Sequence, residues 1–411
     1  MATLSPSLAP SFHELELPQD ALLAIRKQAW ELFEKQGLPS KNDEAFRYFP
    51  TRIFHERPFV LAQQAEAPNF QPHILPECQD NYLVFINGYF SPTLSRSPLS
   101  LFTLHDATRT YGHFLRSRLA KILKDETDPF ALLNIALHPQ GAFLYIPPKT
   151  DLGLLQILLI STEPKVSLPR LQVFAGGWAQ AKIVVTNLGS EKKVIIPSFD
   201  FALEEGSRVQ FHQAEEACFG SCSLTSLRAT LKKSANFASL QWKSGQGITR
   251  SHSRVWLQGE EANAELKGIW MLKEKAQAHA CVRIDHEAPH TQSMQLFKGV
   301  LGDNSQSTFE GKIYVRPEAQ KTQAYQLNKN LLLSPHAIAN VKPNLEIFAD
   351  DVKASHGATV AHLDDELLFY LKTRGIPASE AKHLLIDGFC REILDEFITR
   401  KGMDALHCYS S

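Results

Sequence analysis

Neither sign of charge dominates this sequence: 43 lysines and arginines stand against 44 aspartates and glutamates, a formal net charge of −1. That balance supplies no basic stripe of the kind nucleic acid demands, so no nucleic-acid partner is expected. Long apolar runs are missing as well. A bilayer span takes roughly 20 apolar residues, whereas the longest runs here, such as Leu154–Ile160, read as buried strands. No membrane association is therefore expected. The opening MATLSPSLAPSFHELELPQD has no basic segment ahead of an apolar core and includes Glu14, Glu16 and Asp20, which reads as an uncleaved, cytoplasmic chain. Cysteine is sparse: six in 411 residues, at 78, 218, 222, 281, 390 and 408, with no CxxC pair. Reduced thiols are expected, and not a disulfide framework. Cys218 and Cys222 fall in a stretch that reads as extended, which would set both on one strand face.

Chemical signatures are also scarce. No G-x-x-x-x-G-K-[ST] occurs, so Lys312 in Glu310-Gly311-Lys312-Ile313 is not a phosphate-loop lysine. Gly245-Gln246-Gly247 lacks the strand–turn–helix setting of a dinucleotide site. There is no HExxH, GxSxG or DFG-like set. These absences argue against a hydrolase or kinase acting alone and against a nucleotide site on this chain.

What is present is a change of periodicity along the chain, dividing it into residues 1–140, 141–355 and 356–411. In the first part Leu22, Ile25, Ala29, Leu32 and Phe33 recur at helical spacing, with Gly37 and Pro39 as stops. Helical pattern returns at Tyr111–Leu123 and Pro129–Leu137. The middle part is a succession of short runs such as LQILLIS, KIVVTNLGS, RVQFHQA and AHACVRIDHEA. Many short strands with few helical interruptions suit a β-solenoid, a sandwich pair or a barrel. Asn263, Gln306, Asn328 and Asn330 within the strand runs favour the solenoid, whose stacked rungs can hydrogen-bond such side chains. In the last part Asp364 is placed to cap a helix carrying Leu367, Leu368 and Leu371. Arg374-Gly375 ends it, Pro377 opens another with a stripe of Ala381, Leu385, Phe389, Ile393 and Phe397, and Lys401-Gly402 closes that.

Histidines supply the candidate ligands. His286 and His290 flank Pro289, which disfavours a helix there, and in an extended segment both could face one side of a metal site or make local hydrogen bonds. His279 and Cys281 share a strand face, with core packing the expected role for the thiol. His356, in Ser355-His356-Gly357-Ala358-Thr359, is expected at a corner between extended structure and helix, turned by a positive φ at Gly357. There Ser355 and Thr359 are candidate partners to orient the imidazole. A purely structural hydrogen bond is the competing role.

Several motifs, in order, resemble the SufB/SufD family of iron–sulfur cluster assembly proteins. They are Gly37-Leu38-Pro39, Glu44–Tyr48 (EAFRY), Asp285–Pro289 (DHEAP) with Thr291, Phe309–Ile313 (FEGKI), Gln320–Thr322, Asn330–Ser334 (NLLLS), Pro343–Ile347 (PNLEI), Asp350–Thr359, Phe369–Leu371 and Arg374–Ile376. Chain length and the SHGAT wording place it nearer the SufD branch. The resemblance implies a mainly β fold: a right-handed parallel β-helix (β-solenoid) core between N-terminal and C-terminal helical domains. It implies a non-catalytic scaffold subunit of the SUF complex, working with a SufB-like homologous subunit and a SufC-like ABC-type ATPase. It also implies a transient iron–sulfur cluster at the partner interface, with His356 as the ligand contributed by this chain. Ser355, His356, Thr359, Tyr370 and Arg374 become the partner-binding residues, and the shared surface also allows a homodimer. Ala354 stands where many SufD-like chains carry cysteine, so any thiolate comes from the partner. The alternative is a β-helical carbohydrate-active enzyme, which needs a groove with paired carboxylates.

Overall fold

A computed structural model describes residues 19–56, 59–189 and 191–397. The expected helix stop at Lys401-Gly402, and Cys408, lie outside these residues. The strands stack into a β-solenoid of about eight turns with helices toward both ends. The strands form two sheets, one of ten strands and one of eleven, and from Arg208–Ala217 onward successive strands alternate between them, each pairing in parallel with the next but one. Cys222, Ile248, Gln277, Gln306 and Ile338 stand in register as the first residues of successive strands. Their unequal spacing explains why no strict sequence repeat is legible: connections of varying length join turns of constant width.

Alternation sends every second side chain into the solenoid. In the first turns that interior is apolar, with Leu155, Ile157, Leu171, Val173, Phe199, Phe201 and Phe211 all buried. Farther along, one half of the interior becomes polar. Asn330 donates to Asn328 Oδ1 at 2.6 Å, Asn328 to the carbonyl of Phe297 at 3.2 Å, and Gln326 to Gln295 Oε1 at 3.2 Å. Gln326 and Asn328 therefore link neighbouring rungs, and Asn330 holds Asn328 along its own strand, as their side-chain amides allow. Gly311 sits inside this polar half because a Cβ there would lie 1.4 Å from Gln326 Nε2.

Helices cover parts of the outer faces. Helix α1 (Leu23–Gln36) ends at Gly37, whose φ of 76° lets its N–H reach the Phe33 carbonyl at 2.7 Å. Helix α2 is the short Arg52–Glu56, α3 spans Leu104–Lys124 and α4 Pro129–Leu137. Their apolar faces, with Phe46, Phe49 and Phe54, pack on Phe143, Cys222 and Leu224 of the solenoid. The turn between α3 and α4 is bound to the sheet by buried charges. Glu126 accepts from Arg228 at 2.7 Å, and Asp128 pairs with Arg250 and lies 3.2 Å from His252. Asp128 also caps α4 through the N–H groups of Phe130 and Ala131. Burial opposes its charge, but Arg250 and His252 hold it well below the usual carboxylate range.

At the other end α5 (Asp365–Thr373) and α6 (Ala378–Leu394) follow the last strand. Asp364 caps α5 as its position implies, accepting from the N–H groups of Glu366 and Leu367. Helix α6 lays Ile386, Cys390, Ile393 and Leu394 on Trp242, Ile269, Met271, Leu296 and Val300 of one sheet. Lys298, almost fully buried, donates to the Phe389 carbonyl at 2.7 Å and pins the helix there.

Cys218 and Cys222 do not share a strand. Residues 218–221 form a turn, Cys218 exposed and Cys222 buried at the start of the next strand. Gly220, with φ 72°, makes the reversal possible.

Candidate functional site: the open terminal turn

The two sheets end on the strands Ile338–Ile347 and Val352–His362. Among the described residues each has a neighbour on one side only, so each presents an unpaired row of N–H and C=O groups. Apolar side chains cluster here in the open: Ile338, Phe348 and Val360 on or beside these strands, and Leu367, Phe369 and Tyr370 on α5 are all at least 47% exposed. No residue of α5 is buried.

His356 belongs to this turn, but not as a corner residue. The strand runs through Ser355–Thr359 to His362, in register with Thr322–Leu332. Gly357 carries no positive φ and is extended opposite Leu327. Its lack of a side chain makes room, since a Cβ would stand 3.0 Å from Leu327 Cδ1. Pairing with the preceding turn overrides the local turn preference of Ser-His-Gly.

Register then fixes which way the imidazole faces. His356 lies beside Gln326, a buried interior residue, and so faces the solenoid's cross-section, where it is exposed with no further turn over it among the described residues. Ser355 and Thr359 lie beside Tyr325 and Lys329 on the opposite face. They cannot orient the His356 ring, contrary to expectation. Ala354 and Ala358 flank His356 on its own face. Among the described residues no three His, Cys, Asp or Glu side chains gather closely enough to hold a metal ion. His356 thus offers a single imidazole to any metal.

Tyr370 and Arg374 stand together at the end of α5, the guanidinium 5.0 Å from the ring centroid. The pair His286 and His290 is not brought together. His286 is fully buried, its Nδ1 2.8 Å from Thr291 Oγ1 and its Nε2 2.8 Å from Ser293 Oγ. Both nitrogens are occupied, so neither is free for a metal. His290 is exposed in a turn at φ 58°.

Residues of two other motifs, EAFRY and DHEAP, are structural fastenings. Phe46 of EAFRY lies under Arg250, 4.3 Å from its guanidinium, and Glu44 binds Lys342 of the solenoid. Asp285 of DHEAP accepts from Arg254 at 3.0 Å and from Arg283 at 2.6 Å. Sequence reasoning missed this network; its signal was the run of arginines at 228, 250, 254 and 283, all on outward strand positions. The groove beside EAFRY, about 410 Å3, holds Glu44 and Glu310, yet both bind Lys342. They are not the free carboxylate pair that glycoside hydrolysis uses.

A parallel two-sheet solenoid with helices at both ends and an uncovered terminal turn defines the class of protein. Within that class, residues 158–389 match the family described as SUF system FeS cluster assembly, SufBD core domain, and residues 16–155 match the SufBD protein N-terminal region. The chain belongs to the SufBD family. It is 34% identical to the iron–sulfur cluster assembly protein SufD of Escherichia coli, over 88% of this chain and 86% of the relative. An iron–sulfur cluster assembly SufBD family protein of Synechocystis is 32% identical over 92% of this chain and 88% of its own. The chloroplastic protein ABCI7 of Arabidopsis thaliana is 26% identical over 98% and 88%. This is accordingly an iron–sulfur cluster assembly protein close to SufD. No helix among the described residues is long and apolar enough to cross a membrane.

Proposed function

We propose that this chain is a SufD-like, non-catalytic scaffold subunit that joins a SufB-like homologue through its open terminal turn, in a cytoplasmic complex driven by a SufC-like ABC-type ATPase. One observation carries the reading: His356 is exposed on the axis-facing side of the last strand, which pairs along one edge only among the described residues. A homologous solenoid adding its own edge strand continues the ladder by main-chain hydrogen bonds. It also covers Val360, Phe348 and Ile338 and encloses the imidazole between the two chains.

The cluster is cargo at that junction. A neutral imidazole is a good iron ligand, and softer thiolates complete an iron–sulfur site. Ala354 and Ala358 offer no ligand atoms, so the sulfur donors come from the partner. The exposed face of α5, tied to the solenoid through α6, suits docking of the ATPase, where nucleotide-driven movement reaches the junction through two packed helices. Tyr370 and Arg374 lie on this helix pair, and Ser355 and Thr359 on the outward side of the edge strand.

The test is anaerobic reconstitution of the three-subunit complex carrying His356→Ala. Assembly by gel filtration should be unchanged while iron and acid-labile sulfide bound per complex fall severalfold. An unaltered cluster yield would leave His356 with no part in cluster chemistry and sink the reading.

A further inference from the structure

Cys281, expected to pack in the core, lies partly exposed on the outward face of its strand. Two charged residues do the reverse. Glu215 and Lys243 stand side by side in the parallel ladder on inward positions, the same faces that carry Phe211 and Phe237 into the core. Lys243 is 2% exposed and Glu215 4%.

The Lys243 ammonium makes no hydrogen bond to the protein. Glu215 is half engaged: Asn187 Nδ2 donates to its Oε1 at 3.3 Å, while Oε2 is buried without a partner. Other unpartnered atoms share this inner corner. Trp270 Nε1 follows Lys243 in the ladder, and Gln213 Oε1 lies two residues before Glu215 on the same face. From the facing sheet come the hydroxyls of Ser223 and Ser251, on strands that set Leu227 and Val255 in the core. The two sheets meet closely here. Gln213 Nε2 donates at 3.1 Å to Thr225 Oγ1, two residues after Ser223 and beside Ser251. None of these side chains is more than 4% exposed.

Such atoms cannot stay dry. Burial disfavours any charge without a partner, and an unpaired ammonium beside an unpaired carboxylate oxygen is a costly case. Burial pushes the Lys243 amine down to about 8, with Glu215 acting against it and the outward-facing Arg250 with it. The amine therefore keeps its proton at neutral pH. The free bonding capacity of the corner is mixed: N–H donors on Lys243 and Trp270, acceptors on Glu215 and Gln213, and serine hydroxyls of either kind. A metal cation would meet the ammonium. A halide would meet the carboxylate and give Gln213 nothing, and an apolar guest would serve none of these groups. Water both donates and accepts, and a buried water makes about three such bonds.

We propose that this corner is a built site for ordered water, in which a water molecule bridges the Lys243 ammonium to Glu215 Oε2 and so holds both charges inside the solenoid. No atom of the terminal turn takes part, so the site stands or falls independently of the scaffold reading.

Crystals of the intact chain, refined at a resolution that shows ordered water, should place a water within about 3.2 Å of both Lys243 Nζ and Glu215 Oε2. Pressurising the same crystals with xenon should leave the corner free of xenon, which enters dry apolar cavities. In Lys243→Met the bridging water should be lost while water on Gln213 Oε1 stays. Magnetic relaxation dispersion of the solvent, which detects long-lived internal water, should fall in amplitude for that variant. A direct contact between Lys243 and Glu215 with no water between them overturns the proposal on the unaltered protein alone. So does xenon in the corner, or a Lys243→Met variant in which the water keeps its place.

Discussion

Acid should weaken this fold through histidines buried as neutral bases, and His286 is the one whose contribution can be isolated. In the unfolded chain its imidazole titrates near 6.5; in the fold, burial pushes it down to about 3 although Asp285 beside it acts the other way. Between those values the unfolded chain holds a proton that the folded chain does not. Stability from this residue is complete above the unfolded value and is lost as the pH falls toward the folded one. Each pH unit inside that window is worth about 1.4 kcal/mol, so lowering the pH from about 7 to about 5 removes about 2 kcal/mol at this site. His286→Gln keeps an amide between Thr291 and Ser293 but cannot titrate. Urea unfolding at both pH values should show the variant less stable at pH 7, yet with a pH-dependent loss smaller by about 2 kcal/mol than that of the unaltered protein. Equal losses would mean that His286 protonates in the fold as readily as in the unfolded chain, refuting the argument. His279 and His212, pushed by burial down to about 3 and about 4, add losses of the same sign. His252 has the opposite sign: raised to about 9, it supports the fold below its ordinary value and ceases to as the pH climbs through about 9.

Two further substitutions test the architecture. Gly311→Ala drives a methyl group into Gln326 Nε2 and should destabilise the protein by about 1–3 kcal/mol; Gln326→Ala in the same chain should recover most of that loss in urea titrations, and independent, additive costs would contradict the contact. Val360→Lys places a charge on the open strand and should change monomer stability by less than about 0.5 kcal/mol. Light scattering should nevertheless show weakened self-association and weakened binding of a SufB-like chain, and unchanged association would remove the edge strand from the interface.

Helix ends were the most legible part of this sequence because their signals are local. Gly37 and Asp364 each mark a boundary through a bond made within a few residues, and Pro129 opens the helix whose start its pattern gave. The solenoid was legible as a class from strand runs containing Asn328, whose amide reaches the neighbouring rung, and Asn330, which holds Asn328 in place. Register was not, because spacings between paired strands vary, and register decides which faces His356, Ser355 and Cys281 occupy. The Ser-His-Gly sequence reads locally as a turn, yet it is an extended edge strand held by residues thirty positions earlier. Phe219-Gly220, a genuine turn, was passed over within an apparently continuous strand. In both places a long-range pairing decided what a short window could not.

The two ends of the solenoid differ in a way that bears on His356. At the first end each sheet closes with an antiparallel strand, Tyr89–Phe90 against Tyr82–Ile86 in one and Leu101–Thr103 against Ala142–Ile146 in the other. Reversing the chain there interrupts the parallel stack, which blunts an edge against further pairing. At the last end both terminal strands keep the parallel direction of the turns beneath them. The chain then leaves through α5, none of whose residues is buried. Ten residues or more of extended backbone on each sheet thus remain ready to pair, beside a last turn whose axis-facing positions include Ala354, His356 and Ala358, with the buried Gln326, Asn328 and Asn330 one turn below. Among these small side chains the imidazole is the polar group, and covering it without a partner for its nitrogens is expensive. What closes this end should therefore bring strands for the edges and a partner for one imidazole, and His356 is where the two meet.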